Sequence, residues 1–244
     1  MLSSKFLQVA LNGDQIHSAA PRAPAAIAAA ASAAVRAGAH SVHVHAFDQA
    51  GRETLDGAMC GEVLRSIRQL CPDIPISLTT SATIVSDARQ RFRIVSAWDE
   101  LPDLVTANQG ESGIVDLCEM LLARGVEIEA GLLTVNDAHA FVDSGLASRC
   151  RRVLIEPLEL DVNEALRNAA AMEEIVVAAG ITLEQVHHGY GIACWAVNSR
   201  ALARGYGLRT GLEDVTVLPD GSPALDNAAL VAAVVALVRE HAAG

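Results

Sequence analysis

Aromatic residues make up only 3% of this 244-residue chain, so flat side chains on which nucleic-acid bases could stack are scarce. Positive charge is scarce too: 18 Lys+Arg stand against 29 Asp+Glu, the net charge is −11, and no stretch gathers five basic residues. That balance argues against a nucleic-acid partner. Cysteines are few. Cys60, Cys71, Cys118, Cys150 and Cys194 are odd in number, widely spaced and without a CxxC pair, so they read as reduced, mostly buried thiols with no catalytic role. Long apolar runs are missing as well. The most apolar windows, 23–37 and 225–238, reach about fifteen residues, short of the roughly 20 that span a bilayer, and read as core helices with no membrane partner. The first residues, MLSSKFLQVALNGDQ, carry one lysine and arrive at Asn12 and Gly13 too early for a signal peptide, so a cytoplasmic location is expected.

What the chain does have is apolar bulk: 51% of residues are hydrophobic and 19% charged. A chain of this length buries roughly 72% of its extended surface on folding, enough for one large core, and one domain over 1–244 is expected. Its apolar pattern alternates between strand and helix. Strands are expected at 6–11, 41–45, 74–80, 104–107, 126–130, 152–156, 185–188 and 208–212. Helices are expected at 24–37, 57–70, 84–97, 113–124, 135–144, 163–179, 193–204 and 227–241. Eight strand–helix units in this length are the arithmetic of an α/β fold of the (β/α)8, or TIM barrel, type, with a doubly wound open sheet as the runner-up. Polar residues decide between them. His43, His45, Thr79, Thr80, Asn108, Glu129, Glu156, His188, Glu213 and Asp214 all fall at or just past the ends of different strands, which is where a barrel gathers its site.

The strongest local signal is His43-Val44-His45. On a strand, residues i and i+2 share a face, so both imidazoles point into the barrel and can converge on one metal ion. A buried, hydrogen-bonded pair of core histidines is the bland alternative. Zinc suits two histidines and a carboxylate with one position left open. In a closed barrel the last strand neighbours the first, which brings Glu213 within reach of the pair, whereas in an arbitrary loop Glu213-Asp214 would be a solvated acidic turn. Of His187 and His188 at most one faces the mouth. Glu127 and Glu129 share a face, and at least one should lie near the mouth; a carboxylate inside a barrel needs a cation, a metal or a proton. Arg149, Arg151 and Arg152 precede a strand and belong to the opposite, stabilising end. Inward-facing Ala46, Leu132 and Tyr190 point to a modest apolar pocket with no amine anchor.

Several short words of sequence, in order, carry a resemblance. They are Val9-Ala-Leu-Asn12-Gly13, Ala37-Gly38-Ala39, His43-Val-His45, DQAGRETLD over 48–56, and Ser77-Leu-Thr-Thr80-Ser81. After these come Glu129-Ala-Gly-Leu132, His188-Gly-Tyr-Gly191 with Trp195, and Arg209-Thr-Gly-Leu-Glu213-Asp214. The chain resembles the β-keto acid cleavage enzymes from end to end. The resemblance implies a zinc-dependent (β/α)8 barrel that condenses a β-keto acid with acetyl-CoA, giving acetoacetate and a new acyl-CoA. By position it implies His43, His45 and Glu213 as zinc ligands, and Asp214, Arg209 and Glu129 as catalytic residues. Ser81, Thr80, Asn108 and Asn12 fall to the substrate. A homo-oligomer is expected. The chain departs from the family where Phe47 follows Ala46 in place of an arginine, where Ser81-Ala82 replaces Gly-Gly, and where Tyr190 replaces Glu in the HGxG loop; these bear on substrate and CoA recognition. Arg200, Arg204 and Arg209 are the candidates for a positive patch toward CoA. The competing readings on the same residues are a metal-dependent hydrolase or retro-aldol lyase working without CoA, and a non-catalytic metal- or ligand-binding barrel.

Overall fold

The computed structural model describes residues 5–14 and 17–243. Chain order runs β1 (Leu7–Ala10), α1 (Pro24–Ala37), β2 (Ser41–Val44), β3 (Ala46–Phe47), β4 (Glu53–Thr54), α2 (Gly57–Leu70), β5 (Ile76–Thr79) and α3 (Ala88–Ser96). It continues through β6 (Leu104–Asn108), α4 (Ile114–Ala123), β7 (Glu127–Leu132), α5 (Val135–Ser144), β8 (Arg152–Ile155) and α6 (Val162–Ala178). Last come β9 (Glu184–His187), α7 (Cys194–Ala203), β10 (Gly207–Thr210) and α8 (Asn227–Ala243). Eight of the strands pair in parallel and close into a barrel, with β1 joined to β10 through Val9↔Thr210 and to β2 through Val9↔Val42. The expected (β/α)8 barrel is therefore the fold, and the open sheet is not.

Local chemistry explains most boundaries. Pro24 opens α1, and Gly38, at φ 125°, closes it by donating its N–H to Ala34 and Val35 carbonyls. The helix expected from residue 84 begins only at Ala88, because the Asp87 side chain accepts from Gln90 N and caps it there. The antiparallel pair β3–β4 lies outside the barrel, and no hydrophobic period announces so short a ribbon.

Strand residues facing the helices, such as Val9, Val42, Ile76, Val105 and Ile128, are fully buried and form the main core. The barrel interior is polar by contrast. Glu129, fully buried, accepts from Gln8 Nε2 at 2.8 Å and Ser77 Oγ at 2.5 Å, with Arg152 Nε 3.6 Å away. Arg152 closes the N-terminal end, its guanidinium 3.8 Å from the Phe6 ring centroid. Its neighbours Arg149 and Arg151 make exposed pairs with Glu119 at 3.3 Å and Glu127 at 3.8 Å, the kind worth about 0–1 kcal/mol.

Outside the barrel, Glu173 on α6 accepts from Tyr206 Oη at 2.7 Å, Arg204 Nη2 at 2.6 Å and Arg200 Nη2. Burial pushes this carboxyl up, but those donors outweigh it and hold it at about 2, below the ordinary 4.5. A depressed carboxylate stabilises the fold above its unfolded value and loses that contribution as pH falls toward its folded one. Glu173→Gln is therefore expected to lower stability by about 2 kcal/mol at pH 7, with the gap from wild type closing between pH 4.5 and 2 in urea unfolding.

All five cysteines are buried and free; burial carries the Cys60 and Cys118 thiols up to about 12, Cys150 to about 11, and raises Cys194 as well. Among the described residues, no helix is long and apolar enough to cross a membrane.

Candidate metal and substrate site

Alternation along β2 points His43 and, one residue past the strand, His45 into the barrel mouth. Glu213 arrives on the turn after β10. His43 Nε2 lies 3.6 Å from Glu213 Oε2, and His45 Nε2 lies 3.5 Å from Glu213 Oε1. Those separations are long for hydrogen bonds but close to the roughly 3.4 Å edge of a tetrahedron with zinc-length bonds. Glu213 Oε2 is buried without a hydrogen-bond partner, so the three groups fit a cation better than they fit one another.

The supporting contacts aim the two rings. His45 Nδ1 meets Glu53 Oε1 at 2.8 Å, so β4 supplies the carboxylate that turns Nε2 toward Glu213. His43 Nδ1 faces Ser77 Oγ at 3.3 Å and Thr106 Oγ1 at 3.2 Å, and both hydroxyls touch Glu129. Burial holds His43 well below the usual imidazole range. For His45 burial acts in the same direction, but Glu213 and Glu53 outweigh it and carry the ring to about 10. Burial would raise Glu213, yet Arg209 and the two histidines keep it well below the ordinary carboxylate range.

Two glycines make room. A Cβ on Gly13 would sit 2.7 Å from Glu213 Cγ, so the bare backbone is what admits this carboxylate beside the histidines. Gly211 has φ 153°, and a Cβ there would stand 1.9 Å from Ala10 O, because β1 and the turn after β10 pass in contact.

A second constellation adjoins the first. His188 places Nε2 3.4 Å from Glu156 Oε2 and Nδ1 3.5 Å from Asp214 Oδ1, and neither ring nitrogen has a hydrogen bond. Arg209, 1% exposed, donates from Nε and Nη2 to Asp214 at 3.2 and 2.8 Å and from Nη2 to Glu213 Oε1 at 2.7 Å. One guanidinium therefore bridges both clusters. His187 faces away from the mouth, stacked on Tyr206 with centroids 4.6 Å apart.

A cleft of about 340 Å³ opens over these groups at the C-terminal ends of the strands. Larger grooves, of about 760 and 1040 Å³, run between helices on the outside and touch neither cluster. His43, His45, Glu213, Arg209, Ser81 and Asn108 all line the cleft, as their positions led one to expect. Four others do not. Asn12 is consumed in a backbone clamp, accepting from His45 N at 2.8 Å and donating to His45 O at 3.1 Å and Pro21 O at 2.8 Å, so it positions His45 and has no donor left for substrate. Thr80 points away and donates to Thr106 O at 2.9 Å; the inward residue is Thr79. Glu129 lies below the mouth, with Arg152 as the cation it needed, and Glu127 is exposed. Asp214 is fully buried beside Arg209 and His188, behind the lining.

The expected apolar pocket also changes. Leu132 faces the helices and Leu133 the cleft, Ala46 is buried in β3, and Tyr190 alone of the three lines the cleft. Arg200 and Arg204 pair with Glu173 outside the barrel and do not line the cleft, and Arg209 pairs with its two carboxylates, so the three do not form one patch at the mouth. Glu53, Thr106 and the pairing of Glu156 with His188 carry no signal as a set in the sequence; only the strand-end positions of Glu156 and His188 pointed toward them.

A family model described as beta-keto acid cleavage enzyme matches residues 5–243. The 3-keto-5-aminohexanoate cleavage enzyme of Fusobacterium nucleatum is 24% identical over 259 residues, covering 98% of this chain and 93% of that one. Among solved structures, a ternary complex of ObcA with a C4-CoA adduct and oxalate is 16% identical with a TM-score of 0.73, over 93% of this chain. This chain spans 64% of that ObcA chain, a little under two thirds. The 3-dehydroquinate dehydratase of Geobacillus kaustophilus is 12% identical with a TM-score of 0.64, over 96% of this chain and 92% of that one. At such identities the structural likeness speaks to the fold alone.

Proposed function

The chain belongs to the β-keto acid cleavage enzyme family, and from that premise we propose that it condenses a β-keto acid with acetyl-CoA to give acetoacetate and a new acyl-CoA. The observation that carries the reading is the His43, His45 and Glu213 triad, tied through Arg209 to Asp214, at the catalytic end of the barrel. His43, His45 and Glu213 would hold a divalent metal, with zinc the expected ion. Such an ion supplies Lewis acidity to a chelated keto oxygen and makes the carbon between keto and carboxylate groups more acidic.

The chain's own residues do the rest. Arg209 orients Asp214 through two donated hydrogen bonds; because Asp214 lies behind the lining, it receives the proton from that carbon by way of Glu156 and His188. His188 links Asp214 to Glu156, which faces the cleft. Ser81 and Asn108 present a hydroxyl and an amide to the substrate carboxylate. The carbanion attacks the acetyl thioester and expels CoA as thiolate. The thiolate adds to the former keto carbon, and cleavage of the carbon–carbon bond leaves the acyl group on CoA and releases the acetoacetate carbanion, which takes back the proton first removed. Imine chemistry is closed to this chain: its single lysine, Lys5, donates to Gly205 O at the far end of the barrel.

The test is acetoacetate formation from a panel of β-keto acids and acetyl-CoA by metal-analysed protein. About one zinc per chain is expected. Asp214→Asn should keep the metal and lose about 10³-fold in kcat, while His45→Ala should lose both. Zinc without acetoacetate from any acid would transfer the site to a hydrolase or lyase, and a metal-free active protein would remove the ligand assignment.

A further inference from the structure

The walls of the cleft differ in chemistry. Beside the metal triad, Thr79, Ser81, Thr106 and Asn108 offer hydroxyls and an amide from the ends of β5 and β6. Across from them, Leu133, Leu158 and Tyr190 present hydrocarbon and a ring from the loops after β7, β8 and β9. A substrate bound by its keto acid head at the metal extends its remaining chain toward this second wall.

Charge along the lining is one-sided. Among the described residues, Arg209 is the one guanidinium or ammonium on the cleft, and its Nε and Nη2 are committed to Asp214 and Glu213. Asp14, Glu53, Glu156 and Glu213 face the same space. Arg91, close in sequence to the β6 wall, is 1% exposed and sits on Glu111 at 3.1 Å, behind the lining. The field is felt at the far wall: burial, then Asp14, Asp214, Glu156 and Glu213 push the Tyr190 phenol up. A second carboxylate on the substrate would be desolvated there without a cation and among like charges. An ammonium would meet no such repulsion, so the charge of the lining bears on the carboxylate alone.

We infer that the cleft selects β-keto monocarboxylates whose remaining chain is a short hydrocarbon, and discriminates against those ending in a second carboxylate. The inference rests on reading the cleft as a β-keto acid site.

Three acids test it: 3-oxohexanoate, 3-oxopentanoate and 3-oxopentanedioate, each with acetyl-CoA and zinc-loaded protein. The expected order of kcat/KM places 3-oxohexanoate first, at least tenfold above 3-oxopentanedioate, and about fourfold above 3-oxopentanoate for its added methylene. Leu158→Arg, on the half-exposed rim, should shift the ratio of dicarboxylate to hydrocarbon acid by tenfold or more toward the dicarboxylate at unchanged zinc content. A wild type that prefers the dicarboxylate overturns the inference while leaving the acyl-transfer reading intact. If no acid yields acetoacetate, that reading fails, and calorimetric binding of the same acids without acetyl-CoA decides the inference separately. Tightest binding of 3-oxohexanoate supports it, and tighter binding of 3-oxopentanedioate, or no binding of any, overturns it.

Discussion

Gly13→Ala is expected to empty the proposed metal site while the barrel stays folded. The added methyl would stand 2.7 Å from Glu213 Cγ and 3.4 Å from its Cβ, too near the root of the side chain for a shift of its tip to relieve. Glu213 must rotate about χ1 and leave the histidines. Losing one of the three proposed ligands should weaken binding of the proposed zinc by about 100-fold or more, since displacing mere supporting residues already costs 10–100-fold. Gly13 is not among the glycines with positive φ, so backbone strain adds nothing. Zinc titration of metal-stripped protein and a thermal melt of the same sample separate the two effects. Full zinc stoichiometry in the variant would show that Glu213 is not a ligand.

Arg209→Met should be the most destabilising single change in the site. It leaves Asp214, fully buried, and Glu213 without the donor they share, with Glu156 close by. Removing one partner of a buried charge network costs about 3–5 kcal/mol, because the other charges remain in place. For a chain of this size that is a fall in Tm of about 10 °C. Arg209→Lys keeps the charge, but one ammonium cannot span both carboxylates as the planar fork does, so roughly half the loss should persist. Urea unfolding of both variants measures this, and wild-type stability in Arg209→Met would mean the guanidinium is there for substrate alone.

Most of the fold was legible because a barrel repeats one simple instruction. Ala-rich and amphipathic helices such as 24–37, 57–70 and 135–144 begin and end where proline, aspartate, threonine and glycine place their caps. The His43, His45 and Glu213 grouping was legible too, because period-two alternation and ring closure together determine which residues share the mouth. Depth within the barrel was not. Alternation says that Glu129 faces inward but is silent on height, and height puts it on Ser77 and Gln8, beneath the metal triad. Thr79 and Thr80 show the same weakness at its smallest scale, since one residue of register exchanges the cleft for the barrel wall. The resemblance assigned Asn12 to the substrate; its backbone clamp on His45 depends on a loop whose path no local pattern encodes. Glu53 escaped notice because it sits on a two-residue strand.

The buried thiols give the molecule a built-in clock for its own unfolding. Cys60 lies on α2, Cys118 on α4, Cys150 just before β8 and Cys194 at the start of α7, so they sample successive sectors of the ring. Each is sealed from reagent and held as the unreactive thiol while its sector is closed. Pulse alkylation followed by peptide mass analysis therefore times the opening of each sector, without a single introduced probe.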